Sequence, residues 1–114
     1  MISKSNRFHG RNSLNNVYKY GKSINLSQIN LRYLTSNKGQ PIRIAVVVSK
    51  KVNKSAVARN KIRRRVYEVL RLKLTQIKPS TSLIFNIYSD DIRTIPQDKL
   101  NSILIEILSK ADLL

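Results

Sequence analysis

The feature that most restricts the fold lies mid-chain, where the hydrophobic period changes abruptly from two to about 3.6 residues. Ile42, Ile44, Val46 and Val48 alternate with Arg43, Ala45, Val47 and Ser49, which describes a β-strand carrying one set on each face. From about Ser55 to Ile77 the apolar residues Ala58, Ile62, Val66, Val69, Leu70 and Ile77 recur at helical spacing instead. A strand that runs into a long one-sided helix calls for layers, because each element carries apolar surface that must be covered.

The flanking segments extend this pattern. Asn12 or Ser13 is placed to cap a short helix bearing Leu14, Val17 and Tyr18, with Gly21 ending it. Segment 24–34 alternates, with Ile29, Leu31 and Tyr33 on one side and Asn30 and Arg32 on the other, and is expected to be a half-buried strand. The cluster Ser36-Asn37-Lys38-Gly39-Gln40-Pro41 predicts a hairpin into the 42–49 strand. Lys78-Pro79 is expected to stop the long helix, and Leu83–Tyr88 reads as another short strand. Asp90–Arg93 reads as a loop, and Pro96 suits the first turn of a last helix. In that helix Leu100, Ile103, Leu104, Ile107, Leu108 and Ala111 form one stripe, and Asp98 lies near the positive end. The expected order is α-β-β-α-β-α: an α+β sandwich with a small, mostly antiparallel or mixed sheet and helices packed on it. At 114 residues the chain holds one domain, expected over 11–114, preceded by a flexible basic arm at 1–10.

Charge narrows the function. Twenty-two Lys and Arg against six Asp and Glu give a formal +16, a surface suited to a polyanion whose counterions are released on binding. Five of the acids (Asp90, Asp91, Asp98, Glu106 and Asp112) fall in the last quarter, so the basic footprint belongs to the first two-thirds. With no cysteine, disulfides and thiolate metal sites are excluded. The opening MISKSNRFHG lacks the apolar run of a signal peptide, and no stretch approaches the roughly 18 apolar residues of a spanning helix. The cytoplasm is the expected compartment, with no membrane partner.

Residues 49–73, SKKVNKSAVARNKIRRRVYEVLRLK, contain ten Lys or Arg and one acid. At about 100° per residue, Asn60, Arg64, Tyr67 and Arg71 share one flank and Lys61, Arg65 and Glu68 the adjoining outer face, while Arg59 and Arg63 border the apolar stripe. Three consecutive arginines repel one another, with almost no acid at i±4 to relieve them. A bound phosphate chain explains that arrangement better than helix stability does, since the guanidinium fork donates two parallel hydrogen bonds.

Ser49-Lys50-Lys51-Val52 leaving a strand, followed by Ala56-Val57-Ala58-Arg59-Asn60-Lys61-Ile62-Arg63-Arg64, resembles the signature of the bacterial ribonuclease P protein component. Val17-Tyr18-Lys19-Tyr20-Gly21 is similar to that family's hydrophobic-aromatic-x-x-Gly element. The resemblance implies an α-β sandwich with a left-handed β-α-β crossover. It also implies a role assisting a catalytic RNA that removes the 5′ leader from precursor tRNA. By the same resemblance Lys50, Lys51, Arg59, Asn60, Arg63 and Arg64 face the catalytic RNA, with Arg65 adding charge. Leu14, Tyr18, Arg32 and Tyr33 fall at the leader cleft. Mg²⁺ is expected as a cofactor bound mainly by RNA.

The chain departs from the family pattern in several places. Tyr67 stands where an arginine is frequent, and Asn53 lies in a loop one residue longer than usual. Leu14 and Arg32 replace cleft aromatics, with Tyr33 adjacent, and Tyr88 replaces an arginine that closes the third strand. No protein catalytic constellation is legible: His9 is the only histidine, and Asp90-Asp91 reads as a loop cap. Two other classes fit the composition, a structural ribosomal protein and a DNA-binding regulator, although a strand preceding the basic helix argues against a helix-turn-helix.

Overall fold

The computed structural model describes residues 6, 11–35, 39 and 41–114. The expected arm at 1–10 (Asn6 aside), His9 and most of the 36–41 turn lie outside the described residues. The elements are α1 (Arg11–Tyr20), β1 (Lys22–Asn25), β2 (Ile29–Thr35), β3 (Arg43–Val48), α2 (Ala56–Arg71), β4 (Thr81–Ile87), a 3₁₀ turn (Asp90–Arg93) and α3 (Gln97–Lys110). Helix α1 already includes both residues expected to cap it.

The strands form one mixed sheet in the order β1-β2-β4-β3. β1 and β2 are antiparallel, β2 and β4 antiparallel, β3 and β4 parallel. Two expectations are corrected here. The single strand over 24–34 is a hairpin of β1 and β2, closed where the Leu26 amide donates to the Ile29 carbonyl at 2.8 Å. Its turn contains neither glycine nor proline, the strongest turn markers, and only Asn25 and Ser27 hint at it. The hairpin expected across 36–41 is absent, because β4 lies between β2 and β3. Leu83, Ile84 and Phe85 are each 0% exposed, and a strand apolar on both faces gains most from a central place with neighbours on either side.

On one face of the sheet Ile29, Leu31, Ile44, Val46, Val48, Leu83, Phe85 and Ile87 form a common core with the helices. Helix α2 contributes Ile62, Val66, Val69 and Leu70, and α3 contributes Leu100, Leu104, Ile107 and Leu108. Both predicted stripes therefore face inward. Helix α2 ends at Arg71, earlier than Lys78-Pro79 suggested. Nothing in residues 72–77 breaks a helix by itself. The turn is tertiary: Ile77 is buried, Leu74 packs on the core, and the Lys78 amide reaches the Leu113 carbonyl at 2.9 Å.

The opposite face is covered more sparingly. Helix α1 lies against β2 and β4 and buries Val17, while Ile84 is buried on this side of β4. Among the described residues Asn30 is also buried on this face, Val47 is exposed, and Arg32 and Ala45 are half-buried. Gly21 sits where the chain passes from α1 into β1. A Cβ there would collide with the Val17 carbonyl oxygen and would lie 2.7 Å from that of Tyr33, so only glycine fits.

Candidate nucleic-acid interface

Helix α2 is placed by its start. Ser55 accepts the Ala58 amide at 3.2 Å as N-cap, and Asn53 Oδ1 accepts the Ser55 amide at 2.9 Å. The loop leaving β3 is tied down on two further sides. Asn53 Nδ2 donates to Asp90 Oδ1 at 2.9 Å, and Arg59 Nη1 donates to the carbonyls of Asn53 and Lys54, each at 3.0 Å. Lys50 and Lys51 stand exposed on this braced loop.

The basic residues divide by what their side chains do. Among the described residues Lys50, Lys51, Lys61 and Arg64 are exposed and make no hydrogen bond or ion pair. Arg63 donates to the Asn60 side-chain oxygen. Asn60, Arg63, Arg64 and Tyr67 line a hollow of about 190 Å³ on the outer flank of α2. Arg59, an expected RNA contact, spends Nη1 on the loop.

Arg65 turns away from this flank. Its Nη1 donates to the Ile92 carbonyl at 2.8 Å, and its Nη2 donates to the Ile95 carbonyl at 2.6 Å. Its half-buried guanidinium therefore joins α2 to the 3₁₀ turn, and the expectation that it simply adds to the outer charge is corrected. Tyr67 also differs from a phosphate ligand: its hydroxyl accepts the Val46 amide at 3.1 Å. That amide points off the edge of β3, so Tyr67 blunts an unpaired strand edge.

Asp90 anchors the brace. Arg93 donates to it through Nε at 3.1 Å and Nη2 at 2.9 Å. The Arg93 guanidinium, and after it the Asn53 amide, lower its pKa to about 2 from the ordinary 3.8. Asp90 thus serves the fold, whereas Asp91 is exposed and contributes its backbone amide, which donates to Ser89 Oγ at 3.2 Å. Among the described residues no group of three or more His, Cys, Asp or Glu side chains could hold a metal ion, and no helix is long and apolar enough to cross a membrane.

A second surface lies between α1 and the open sheet face. Tyr18 is 42% exposed, with the Arg32 guanidinium carbon 5.2 Å from its ring centroid. Its hydroxyl donates to Asn86 Oδ1 at 3.4 Å, Asn86 Nδ2 donates to Asn30 Oδ1 at 3.2 Å, and Asn30 Nδ2 donates to Ser23 Oγ at 2.8 Å and Asn25 Oδ1 at 2.6 Å. This polar ladder crosses β4, β2 and β1. Leu14, one helical turn before Tyr18, is half-buried. Tyr33 is not part of this cleft. The register pairs it with Leu83 and Arg32 with Ile84, which puts Tyr33 on the core side, so the expectation that it shares a cleft with Tyr18 and Arg32 is corrected.

Sequence reasoning missed two residues here. Asn86 joins Tyr18 to the ladder, and Arg43 shares the open face with a buried Nε that has no partner among the described residues. Alternation had assigned Arg43 to the correct face, but only the strand order puts it beside Ser82 of β4.

Comparison with known proteins supplies the context. The family model described as Ribonuclease P matches residues 2–112. The "Ribonuclease P protein component" of a Pseudanabaena strain is 31% identical over 114 residues, covering 100% of this chain and 97% of the relative. That of a Synechococcus strain is 30% identical over 117 residues, covering 100% of this chain and 87% of the relative. A structure of the Staphylococcus aureus RNase P protein, a mutant with defective mRNA degradation activity, superposes with a TM-score of 0.85 at 22% identity, covering 97% of this chain and 92% of that one. The RNase P protein from Thermotoga maritima superposes with a TM-score of 0.80 at 20% identity, covering 91% and 96%. These two likenesses extend the agreement from sequence to fold.

Proposed function

Since the chain belongs to the ribonuclease P protein family, we propose that it grips the catalytic RNA of ribonuclease P with the outer flank of α2 and the 5′ leader of precursor tRNA with the α1–sheet cleft. As a ribonuclease P protein component it serves tRNA processing within an endoribonuclease holoenzyme. The observation that carries the finer reading is the group of unpaired cations, Lys50, Lys51, Lys61 and Arg64, beside the hollow formed by Asn60, Arg63, Arg64 and Tyr67. Arg59 and Arg65 hold the loop and the helix that present them.

On this reading the polypeptide performs no bond cleavage. Its cations reduce repulsion between two RNA molecules, so that Mg²⁺ and substrate bind more readily. RNA phosphates would supply most of the ion's ligands. At the cleft, Tyr18 stacks on an unpaired leader base, a contact worth about 1–3 kcal/mol with little sequence preference. Arg32 and Arg43 offer charge to the backbone. Strand β3 running into α2 is not a helix-turn-helix, which disfavours duplex DNA as the partner. A cytoplasmic location follows from the proposed work on precursor tRNA.

The test adds the full chain to its catalytic RNA. Cleavage of precursor tRNA should proceed at lower Mg²⁺, and precursor should bind more tightly relative to mature tRNA. Tyr18→Ala should reduce that discrimination while leaving assembly with the catalytic RNA intact. If the protein changes neither the Mg²⁺ requirement nor the discrimination, the reading fails.

A further inference from the structure

A cavity of about 340 Å³ lies on the other side of β2 from Arg32, lined by Tyr20, Lys22, Tyr33, Lys78, Asp112 and neighbouring aliphatic and backbone atoms. Its size is in the range of small-molecule sites, roughly 300–1,000 Å³. Lys22 lies opposite Tyr33 in the β1–β2 ladder, and the Lys78 backbone is fastened to Leu113. Asp112 follows α3 with φ of 59°, a conformation that aspartate tolerates better than most residues.

Of the polar residues at this cavity, Thr35 is engaged, its hydroxyl lying 3.2 Å from that of Thr81. Among the described residues the side chains of Lys22, Tyr33, Lys78 and Asp112 make no hydrogen bond or ion pair. In a chain of net charge +16, an aspartate beside two lysines that pairs with neither is a carboxylate left available. The lysines offer phosphate donors, the tyrosines offer ring faces, and the carboxylate accepts from two adjacent N–H groups. One nucleotide presents all the complements: guanosine monophosphate, whose base carries N1–H and N2–H side by side.

We propose that this cavity is a subsite for a single unpaired guanosine nucleotide of an RNA chain. It is separate from both proposed surfaces. Tyr33 and Thr35 pair with the start of β4, whereas Lys50 and Lys51 follow Val48, which pairs with its last residue, Ile87. The ends of a seven-residue strand are about 20 Å apart, so one phosphate cannot reach both places. The subsite gives the protein a third RNA contact, selective for a base where the α2 flank is selective only for charge.

The experiment titrates GMP and, separately, AMP and inorganic phosphate into the full chain while following the backbone amides of Tyr33, Lys78 and Leu113 by NMR. Expected is a saturable response at these amides that is stronger for GMP than for AMP. Asp112→Asn should keep the backbone turn, since asparagine also accepts positive φ, yet lower the preference for GMP over AMP by roughly tenfold. Lys78→Gln should weaken GMP and AMP alike. No saturable response, equal affinity for GMP and AMP in the parent chain, or an equal response to inorganic phosphate would each overturn the proposal.

Discussion

Arg64 and Arg65 are neighbours in sequence with opposite assignments, and separating them tests the description of α2. Arg65 makes two short hydrogen bonds from a charged donor to main-chain carbonyls, at 2.8 and 2.6 Å. Bonds of this kind contribute about 1.5–3 kcal/mol each where nothing replaces them. The side chain is only half-buried, and water would take over part of the loss, so Arg65→Ala should destabilise the fold by about 2 kcal/mol. At about 4 °C per kcal/mol for a chain this long, its Tm should fall by roughly 8 °C. Arg64 makes no hydrogen bond or ion pair among the described residues, and Arg64→Ala should stay within about 0.5 kcal/mol of the parent. The order reverses in RNA binding. Arg64→Ala should reduce the slope of log affinity against log salt by about 1, whereas Arg65→Ala should leave the slope nearly unchanged. Urea unfolding followed by circular dichroism, with m compared across variants, and binding to the catalytic RNA over a salt series supply both quantities. An Arg65→Ala protein as stable as the parent but with a flattened salt slope would refute this division of labour.

Three further outcomes follow from the same structure. The depressed Asp90 pKa means its clasp contributes fully above pH 3.8 and is lost as pH falls through about 2. The gap in urea midpoint between the parent and Asp90→Asn should therefore shrink across that window, and a constant gap would deny the clasp its role. Gly21→Ala would press a methyl group onto the Val17 and Tyr33 carbonyls and should cost about 1–3 kcal/mol, read as a lowered urea midpoint. Tyr67→Phe removes the acceptor from the Val46 amide and should cost about 1 kcal/mol. It should also increase concentration-dependent association seen by light scattering, because the β3 edge is uncovered.

The helical stripe of Ile62, Val66, Val69 and Leu70 and that of Leu100, Leu104, Ile107 and Leu108 were legible because burial imposes a period on each helix separately. The faces of β2 and β3 were legible for the same reason, as was the basic flank around Asn60 and Arg64. The β1–β2 turn was not, since Leu26, Ser27 and Gln28 include neither glycine nor proline and a single serine is a weak turn signal. The early end of α2 was hidden too, because Ile77 satisfies the helical period and is buried by a different path.

By itself the sequence determined which surfaces are apolar, which are cationic, and where the family motif lies, because those properties belong to residues and their near neighbours. The tertiary structure decided which strand is central, since that depends on how much apolar surface each strand can bury against the others. It also decided which arginines remain available. Arg64 and Arg65 are chemically identical and adjacent, and they differ only because the carbonyls of Ile92 and Ile95, 27 and 30 residues away in the chain, happen to meet one of them. Hydrogen-bond partners brought together from distant segments leave no trace in local composition, so the distinction appears only once the chain has packed.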